Sequence, residues 1–216
     1  ASAAPQKAEA PAAPRAPALE SGVVAPPGPD MISNQLDIRP YRKRLAEHGR
    51  VQIPGFLQAD AADRLARCLR EEVPWVTAER GQADSPPWTP EVARQRMPEA
   101  YRRAGAGFHF VYDRYLIVDA MRDGRDQGHL LHAVLQFFNS EPYLGFIREL
   151  TGDASLAAVG GQATRYQPGQ FLTIHDDGHQ DEARRYAYVL NLSRRWQPDW
   201  GGLLHFVDAD GRQLDA

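Results

Sequence analysis

Four side chains able to bind a metal stand close together in the segment FLTIHDDGHQ, residues 171–180. They are His175, Asp176, Asp177 and His179, and they follow an apolar run that is typical of a β-strand. On a strand, side chains two positions apart project to the same face, with Cα atoms about 6–7 Å apart. His175 and Asp177 therefore share a face, and Asp176 does not. An imidazole and a carboxylate in this arrangement can bind one divalent cation; a polar strand end is the alternative.

This spacing has a known chemical use. One histidine and one carboxylate from a strand, with a second histidine from elsewhere, form the facial triad of non-haem Fe(II) oxygenases. The triad leaves metal positions open for a co-substrate and O2. Spacing alone is a weak signal, because His-x-Asp is a common chance combination.

The flanking sequence adds a family context. The runs RYQPGQFLTIHDD, RRYAYVLNL and WGGLLHF together resemble the 2-oxoglutarate/Fe(II)-dependent dioxygenases, in particular their prolyl 4-hydroxylase-like branch. The strong match covers roughly residues 165–208. The matching residues are Tyr166, Gly169, Phe171, His175, Asp177, Leu190, Asn191, Trp196, Trp200, Gly201, Gly202 and Leu204.

The resemblance implies a fold, a site and a reaction. The fold would be α+β, with a double-stranded β-helix (jelly roll) core and supporting N-terminal helices. His175 and Asp177 would be Fe(II) ligands, and the hydroxyl of Tyr166 would reach the co-substrate 2-oxoglutarate, although a core tyrosine is the alternative. The reaction would hydroxylate a C–H bond, with a prolyl residue of a protein or peptide as the favoured target, and would release succinate and CO2. Ascorbate would be an accessory cofactor.

Two expected residues have no clear counterpart. The resemblance implies a second histidine ligand well beyond the Gly-Gly strand, followed by an Arg or Lys that pairs with the far carboxylate of 2-oxoglutarate. His205 lies on the strand before the expected position, and Arg212 has no histidine at the right interval before it. We therefore expect a C-terminally truncated family member, inactive in succinate production; completion by a partner chain is the alternative. A non-catalytic jelly-roll binding module and a cupin-like metal enzyme of another class also stay open.

Composition limits the partners and the compartment. The chain has 216 residues and a net charge of −3, which gives no reason to expect nucleic acid or an anionic membrane as partner. No apolar run is long enough to span a membrane, and the N-terminus lacks the apolar core of a signal peptide, so we expect a cytoplasmic protein. The single cysteine, Cys68, excludes an intramolecular disulfide and is predicted to be a core residue.

Three regions follow from the change in composition along the chain. Residues 1–33 are rich in Ala and Pro and are predicted to be a disordered leader, with Met31 as a hypothetical true start. Residues 34–153 are predicted to be helical support with the first strands. Residues 154–216 are predicted to be the N-terminal portion of the jelly-roll core.

Periodicity predicts the individual elements. We expect helices at 36–48, 60–72, 129–138 and 142–150, and strands at 51–57 and 107–118. Residues 82–97 are predicted to be a surface loop because they are polar and rich in proline. Four short strands are expected within 155–167, 170–175, 184–192 and 201–208. His109, His129 and His132 are interpreted as structural residues, since no second ligand stands at ligand spacing on the same element.

Overall fold

The computed structural model describes residues 31–176, 184–208 and 210–215, and these form an α+β fold. Its helices are α1 (Ile38–His48), α2 (Ala59–Glu71), α3 (Pro90–Ala104), α4 (Ile117–Arg122), α5 (Leu130–Phe138) and α6 (Glu141–Thr151). Its strands are β1 (Val76–Glu79), β2 (Phe110–Tyr115), β3 (Ala163–Arg165), β4 (Phe171–Leu172), β5 (Phe206–Val207) and β6 (Gln213–Asp215).

Strand β2 is the centre of the main sheet. One edge of β2 pairs antiparallel with β1 along the whole of β1. The other edge pairs with two strands in succession: its C-terminal half with β3 and its N-terminal half with β4. Residues 163–172 thus run along a single edge of β2, and a bulging turn at 166–170 separates the two paired stretches.

Gly169 shapes this bulging turn. Its φ of +86° lies in the left-handed region that favours glycine. The turn closes through a hydrogen bond from the backbone N–H of Gln170 to the carbonyl of Gln167, at 2.9 Å. From α3, the hydroxyl of Tyr101 donates to the carbonyl of Gly169 at 2.7 Å. The turn is therefore held both by its own backbone and by a helix.

The main core lies between the sheet and helices α2, α5 and α6. Helix α5 is apolar almost all round, as expected for a helix buried among other elements. Phe138 of α5 stacks on Tyr143 of α6 with ring centroids 4.5 Å apart. Cys68 of α2 is fully buried in this core, so its predicted core position is confirmed.

The four predicted helices are confirmed to within one or two residues. Helix α1 begins after Asp37, whose carboxylate accepts from the backbone N–H of Arg39 at 3.1 Å, and it ends at Gly49 with φ +67°. Such caps satisfy backbone groups that the helix leaves unpaired. Helix α6 ends in the same way at Gly152, with φ +73°.

The prediction of a surface loop at 82–97 is wrong in its second half, where α3 begins. Thr89 caps this helix by accepting from the backbone N–H of Val92 at 3.3 Å. Pro90 occupies the first turn, where its missing N–H removes no intrahelical hydrogen bond. Helix α3 even continues through Pro98. A proline-rich segment can therefore contain the start of a helix as well as a loop.

Two predicted strands are not formed. The segment 51–57 makes only one bridge, between Leu57 and Ile32, because Pro54 and Gly55 place a turn in its middle. Residues 184–192 form no strand, and this segment contacts the rest of the protein through its side chains instead. The hydroxyl of Tyr188 donates to the carbonyl of Gly160 at 3.1 Å, and Leu190 packs on the main core.

The remaining C-terminal strands are shorter than predicted. Only Phe206–Val207 of the segment 201–208 is a strand, and it pairs with β6, which the sequence did not predict. Over the ranges that the structure covers, the strands form one four-stranded and one two-stranded antiparallel sheet, so the α+β class holds and the jelly roll stays a prediction. No described helix is long and apolar enough to cross a membrane.

Residues 31–33, which were predicted to close the leader, make contacts with the folded region. Met31 is buried in the main core, and its carbonyl accepts from the backbone N–H of Gln58 at 2.9 Å. Ser33 donates its backbone N–H to the carbonyl of Phe56 at 2.8 Å. Residues 31–33 therefore belong to the folded region, because they pair with the segment that leads into α2.

We predict that Gly169→Ala destabilises the protein by about 1–2 kcal/mol, since an L-residue is strained at this φ. The new Cβ would also lie 3.1 Å from the hydroxyl oxygen of Tyr101. Gly145→Ala is the matched control, because its Cβ meets no atom within 4 Å and the position is helical. Urea denaturation measures both; equal midpoints for Gly169→Ala and wild type would contradict the role of this turn.

Candidate functional site

His175 is carried to its place by pairing that continues beyond β4. The backbone N–H of Thr173 donates to the carbonyl of His109 at 3.1 Å, and the backbone N–H of His109 donates to the Thr173 hydroxyl at 2.9 Å. Two residues later, the imidazole of His175 lies against the ring of Phe108, with centroids 5.8 Å apart. The edge of the main sheet therefore fixes the location of His175.

A hydrogen bond sets the tautomer of His175. Its Nδ1 lies 3.0 Å from the carbonyl oxygen of Thr173. A carbonyl can only accept, so Nδ1 carries the proton and Nε2 carries the lone pair. Metal-bound histidines usually have this arrangement, with the second ring nitrogen donating to a carbonyl or carboxylate. The exposed imidazole of His175 thus fits the role of an Fe(II) ligand through Nε2.

The other predicted ligand lies outside the described residues. Asp177 belongs to the stretch 177–183, so its place relative to His175 is untested. In the described ranges, no group of three or more His, Cys, Asp or Glu side chains is arranged to hold a metal ion. One member of the predicted pair therefore has a geometry suited to a metal, and the complete ligand set stays a prediction.

Tyr166 follows β3 at the start of the bulging turn. Its ring lies 5.6 Å from the ring of Tyr112 on β2, and the residue is 45% exposed. Partial burial, with a smaller effect of Tyr112, raises the pKa of Tyr166 to about 12. The hydroxyl is therefore protonated at neutral pH and can donate a hydrogen bond to an anionic co-substrate.

A buried carboxylate joins the strands that lead to this site. Asp113 of β2 is completely buried and accepts from the hydroxyl of Thr77 on β1 at 2.7 Å. It also accepts from the guanidinium of Arg165 on β3 at 2.7 Å and from the side-chain amide of Gln170 at 3.1 Å. Arg165 in turn stacks over the ring of Trp75, 4.8 Å from its centroid. One side chain thus connects three strands and the bulging turn.

These contacts determine the charge state of Asp113. Burial by itself raises the pKa of the carboxyl, but hydrogen bonds from Thr77, Arg165 and Gln170, together with the charge of Arg165, outweigh it. The pKa of Asp113 is therefore held below its ordinary value. The group is ionised at neutral pH and all its described partners are donors, as a buried charge requires.

A second polar cluster lies at the start of β2 and was not predicted from the sequence. Glu79 of β1 is buried and forms salt bridges with Arg96 at 3.0 Å and Arg103 at 3.3 Å, both on α3. The Nε2 atom of His109 is buried 3.6 Å from Glu79 and has no hydrogen-bond partner among the described residues. Neither β1 nor α3 was predicted from the sequence, and because burial does not alternate along β1, no local pattern indicated that Glu79 faces inward.

The other two histidines singled out in the sequence have local partners. His129 caps α5, with Nδ1 accepting from the backbone N–H of Leu131 at 3.2 Å. His132 is 2.8 Å from the hydroxyl of Tyr115, and burial lowers its pKa. The Tyr115 hydroxyl also donates to Asp126 at 3.0 Å. These contacts account for the two histidines as parts of the packing around α5.

Comparison with known proteins identifies the C-terminal segment. Residues 161–216 match the family model of the 2OG-Fe(II) oxygenase superfamily. The matched stretch contains Tyr166, His175 and Asp177, so the resemblance seen in the residues is confirmed at the level of the superfamily. The match does not specify the prolyl 4-hydroxylase-like branch. No curated protein and no solved structure matches the chain.

We predict that Asp113→Ala destabilises the protein by about 3 kcal/mol, since it leaves the partly buried Arg165 and the buried Thr77 without their acceptor. Asp84→Ala is the matched control, because Asp84 pairs with Arg114 near the surface and should cost at most about 1 kcal/mol. Guanidinium denaturation measures both changes. A loss for Asp113→Ala no larger than that for Asp84→Ala would show that the network does not stabilise the sheet.

The lowered pKa of Asp113 also predicts a pH dependence. Its stabilising effect is fully present above the unfolded-state pKa of about 3.9 and is lost as the pH falls through the lower folded-state pKa. The difference in unfolding free energy between wild type and Asp113→Asn should therefore be constant near neutral pH and shrink below about pH 4. A difference that grows on acidification would contradict this sign.

Proposed function

We propose that this chain takes part in hydroxylation of a C–H bond that depends on 2-oxoglutarate and O2, because residues 161–216 match the family model of the 2OG-Fe(II) oxygenase superfamily. A prolyl residue of a protein or peptide is the proposed target, and succinate and CO2 are the by-products. The observation that carries the proposal is the His175 imidazole, which lies inside the matched segment and whose Nδ1 is held by the Thr173 carbonyl, as is usual for metal-binding histidines.

Each predicted site residue has a proposed task. His175 and Asp177 hold Fe(II), and the hydroxyl of Tyr166 donates a hydrogen bond to bound 2-oxoglutarate. The iron, when bound, supplies the redox chemistry that couples O2 to C–H oxidation. The protein holds the His175 imidazole in place through the Thr173 carbonyl and the pairing of Thr173 with His109. The proposed core for this site is a jelly roll, with α1 to α6 as its support.

Metal binding distinguishes this proposal from the two alternative functions, a non-catalytic binding module and a cupin-like metal enzyme of another class. Mn2+ is a suitable probe, because it accepts the same imidazole and carboxylate ligands as Fe(II) and is stable in air. We predict that the chain binds Mn2+, and that His175→Ala weakens binding by at least about tenfold, since even the loss of an outer partner of a ligand costs this much. Isothermal titration calorimetry with and without 2-oxoglutarate is the measurement.

The control is His205→Ala, which removes an exposed histidine just before β5 and should bind Mn2+ like wild type. A non-catalytic module predicts no Mn2+ binding by any of the three proteins. A cupin-like enzyme of another class predicts Mn2+ binding that 2-oxoglutarate leaves unchanged. The proposed function requires that 2-oxoglutarate tightens Mn2+ binding by the wild-type chain. It also requires that His175→Ala binds Mn2+ more weakly than the wild type does.

A further inference from the structure

An open cleft of about 520 Å³ includes Phe108, the residue whose ring lies against His175. Its lining includes Arg80, Arg103, Gly107, Phe108 and His109, which come from the end of β1, the end of α3 and the segment before β2. None of these residues belongs to the His-x-Asp segment or to its matched neighbours. We name this feature the Arg80 cleft.

Phe108 connects the Arg80 cleft to the predicted metal ligand. The Arg80 guanidinium carbon lies 5.0 Å from the centroid of the Phe108 ring. The same ring lies 5.8 Å from the ring of His175. A molecule bound at Arg80 would therefore be separated from the His175 imidazole by one aromatic side chain, that of Phe108.

The surroundings of the cleft are positively charged. Arg80 and Arg103 line the cleft, and Arg103 forms salt bridges with Glu79 and Glu99. Glu79 is shared with Arg96, so the arginines outnumber these carboxylates. Arg80 donates to the backbone carbonyl of Phe108, and no carboxylate of the described residues lies within salt-bridge distance of it. Its exposed guanidinium can thus pair with an anion from solution.

His109 adds a buried polar group to this lining. Its side chain is 5% exposed, and Nε2 has no hydrogen-bond partner in the part of the chain that is described. Buried polar atoms in proteins are nearly always paired. His109 lines the cleft, but because its Nε2 atom is buried, a ligand oxygen could accept or donate this hydrogen bond only after a small shift of the side chains that cover it.

We infer that the Arg80 cleft binds a carboxylate group of the molecule on which the His175 site acts; this inference rests on the proposed function. The planar fork of a guanidinium matches the two oxygens of a carboxylate. Phosphate, which a guanidinium also binds in a bidentate manner, is the competing anion. The substrate class is thus a molecule that carries an acid group, such as a peptide with an acidic residue close to the prolyl target.

The test measures binding of small probes to the metal-free chain by NMR titration, without 2-oxoglutarate. The main probe is glutamate blocked as N-acetyl amide, which carries one side-chain carboxylate, and the neutral control is the equally blocked glutamine. Glutarate tests whether a free dicarboxylate uses the same cleft, and inorganic phosphate tests the competing anion. Shifts are followed at the backbone signals of Arg80, Phe108 and His109.

We predict that blocked glutamate shifts these signals and blocked glutamine does not. Arg80→Gln should weaken the binding of blocked glutamate about tenfold, which is the usual loss for a charge-assisted hydrogen bond. Arg94→Gln is the matched control, because Arg94 lies on α3 outside the cleft and should leave binding unchanged. His109→Gln should weaken binding less than Arg80→Gln does, because it removes no full charge.

A second measurement does not depend on the folding of a variant. Blocked glutamate should slow the modification of Arg80 by phenylglyoxal in the wild-type chain, as followed by mass spectrometry, and blocked glutamine should not. Tighter binding of glutarate than of blocked glutamate would support the cleft and assign it to a small acid. No binding of either carboxylate, equal binding by Arg80→Gln and wild type, or tighter binding of phosphate would overturn the inference. None of these results depends on Mn2+ binding. The failure of the carboxylate inference can therefore be distinguished from the failure of the proposed function, which the Mn2+ titration tests.

Discussion

The antiparallel pairing of residues 163–173 with a single edge of β2 is the constraint on which the rest of this structure depends. It begins at β3, passes through the bulging turn at Gly169 and continues to Thr173. Asp113 secures it from inside, because one buried carboxylate accepts hydrogen bonds from Thr77, Arg165 and Gln170. Because the ionised carboxylate of Asp113 is buried, losing any of these hydrogen-bond donors would cost free energy. The three strands therefore cannot shift register independently.

This constraint explains where the chemistry lies. A strand that stays in register up to Thr173 places His175 against Phe108 in one orientation, and the Thr173 carbonyl then selects the tautomer. The same pairing holds His109 between the cleft and the sheet. The proposed metal ligand and the proposed carboxylate cleft are thus consequences of one sheet edge. Helices α2, α5 and α6 supply the apolar core behind it.

The sequence predicted the features that depend on local rules. Helices α1, α2, α5 and α6 have apolar periodicity and end signals such as Gly49 and Gly152, which act within one turn. The His-x-Asp pair was also predicted from a local rule, strand alternation, and it stays a prediction because Asp177 lies outside the described residues. Cys68 was placed in the core by the same periodicity.

The failures involve contacts that are distant in sequence or residues with two uses. Pro90 begins helix α3 within a segment that was predicted to be a surface loop because it is rich in proline. Residues 184–192 have strand composition, but strand formation needs a paired neighbour, and here Tyr188 and Leu190 make side-chain contacts instead. The cluster of Glu79 and His109 joins residues thirty positions apart and becomes visible only when β1, β2 and α3 are assembled.

The most direct test of this account is the position of a bound Mn2+ ion relative to the cleft. Paramagnetic Mn2+ broadens the NMR signals of nuclei near it, so the broadened residues mark its position. We predict strong broadening at Phe108 and Thr173, weaker broadening at Arg80, and none at Arg39 on α1. Broadening that spares Phe108 and Thr173 while affecting other parts of the chain would contradict the claim that the sheet edge carries the metal site.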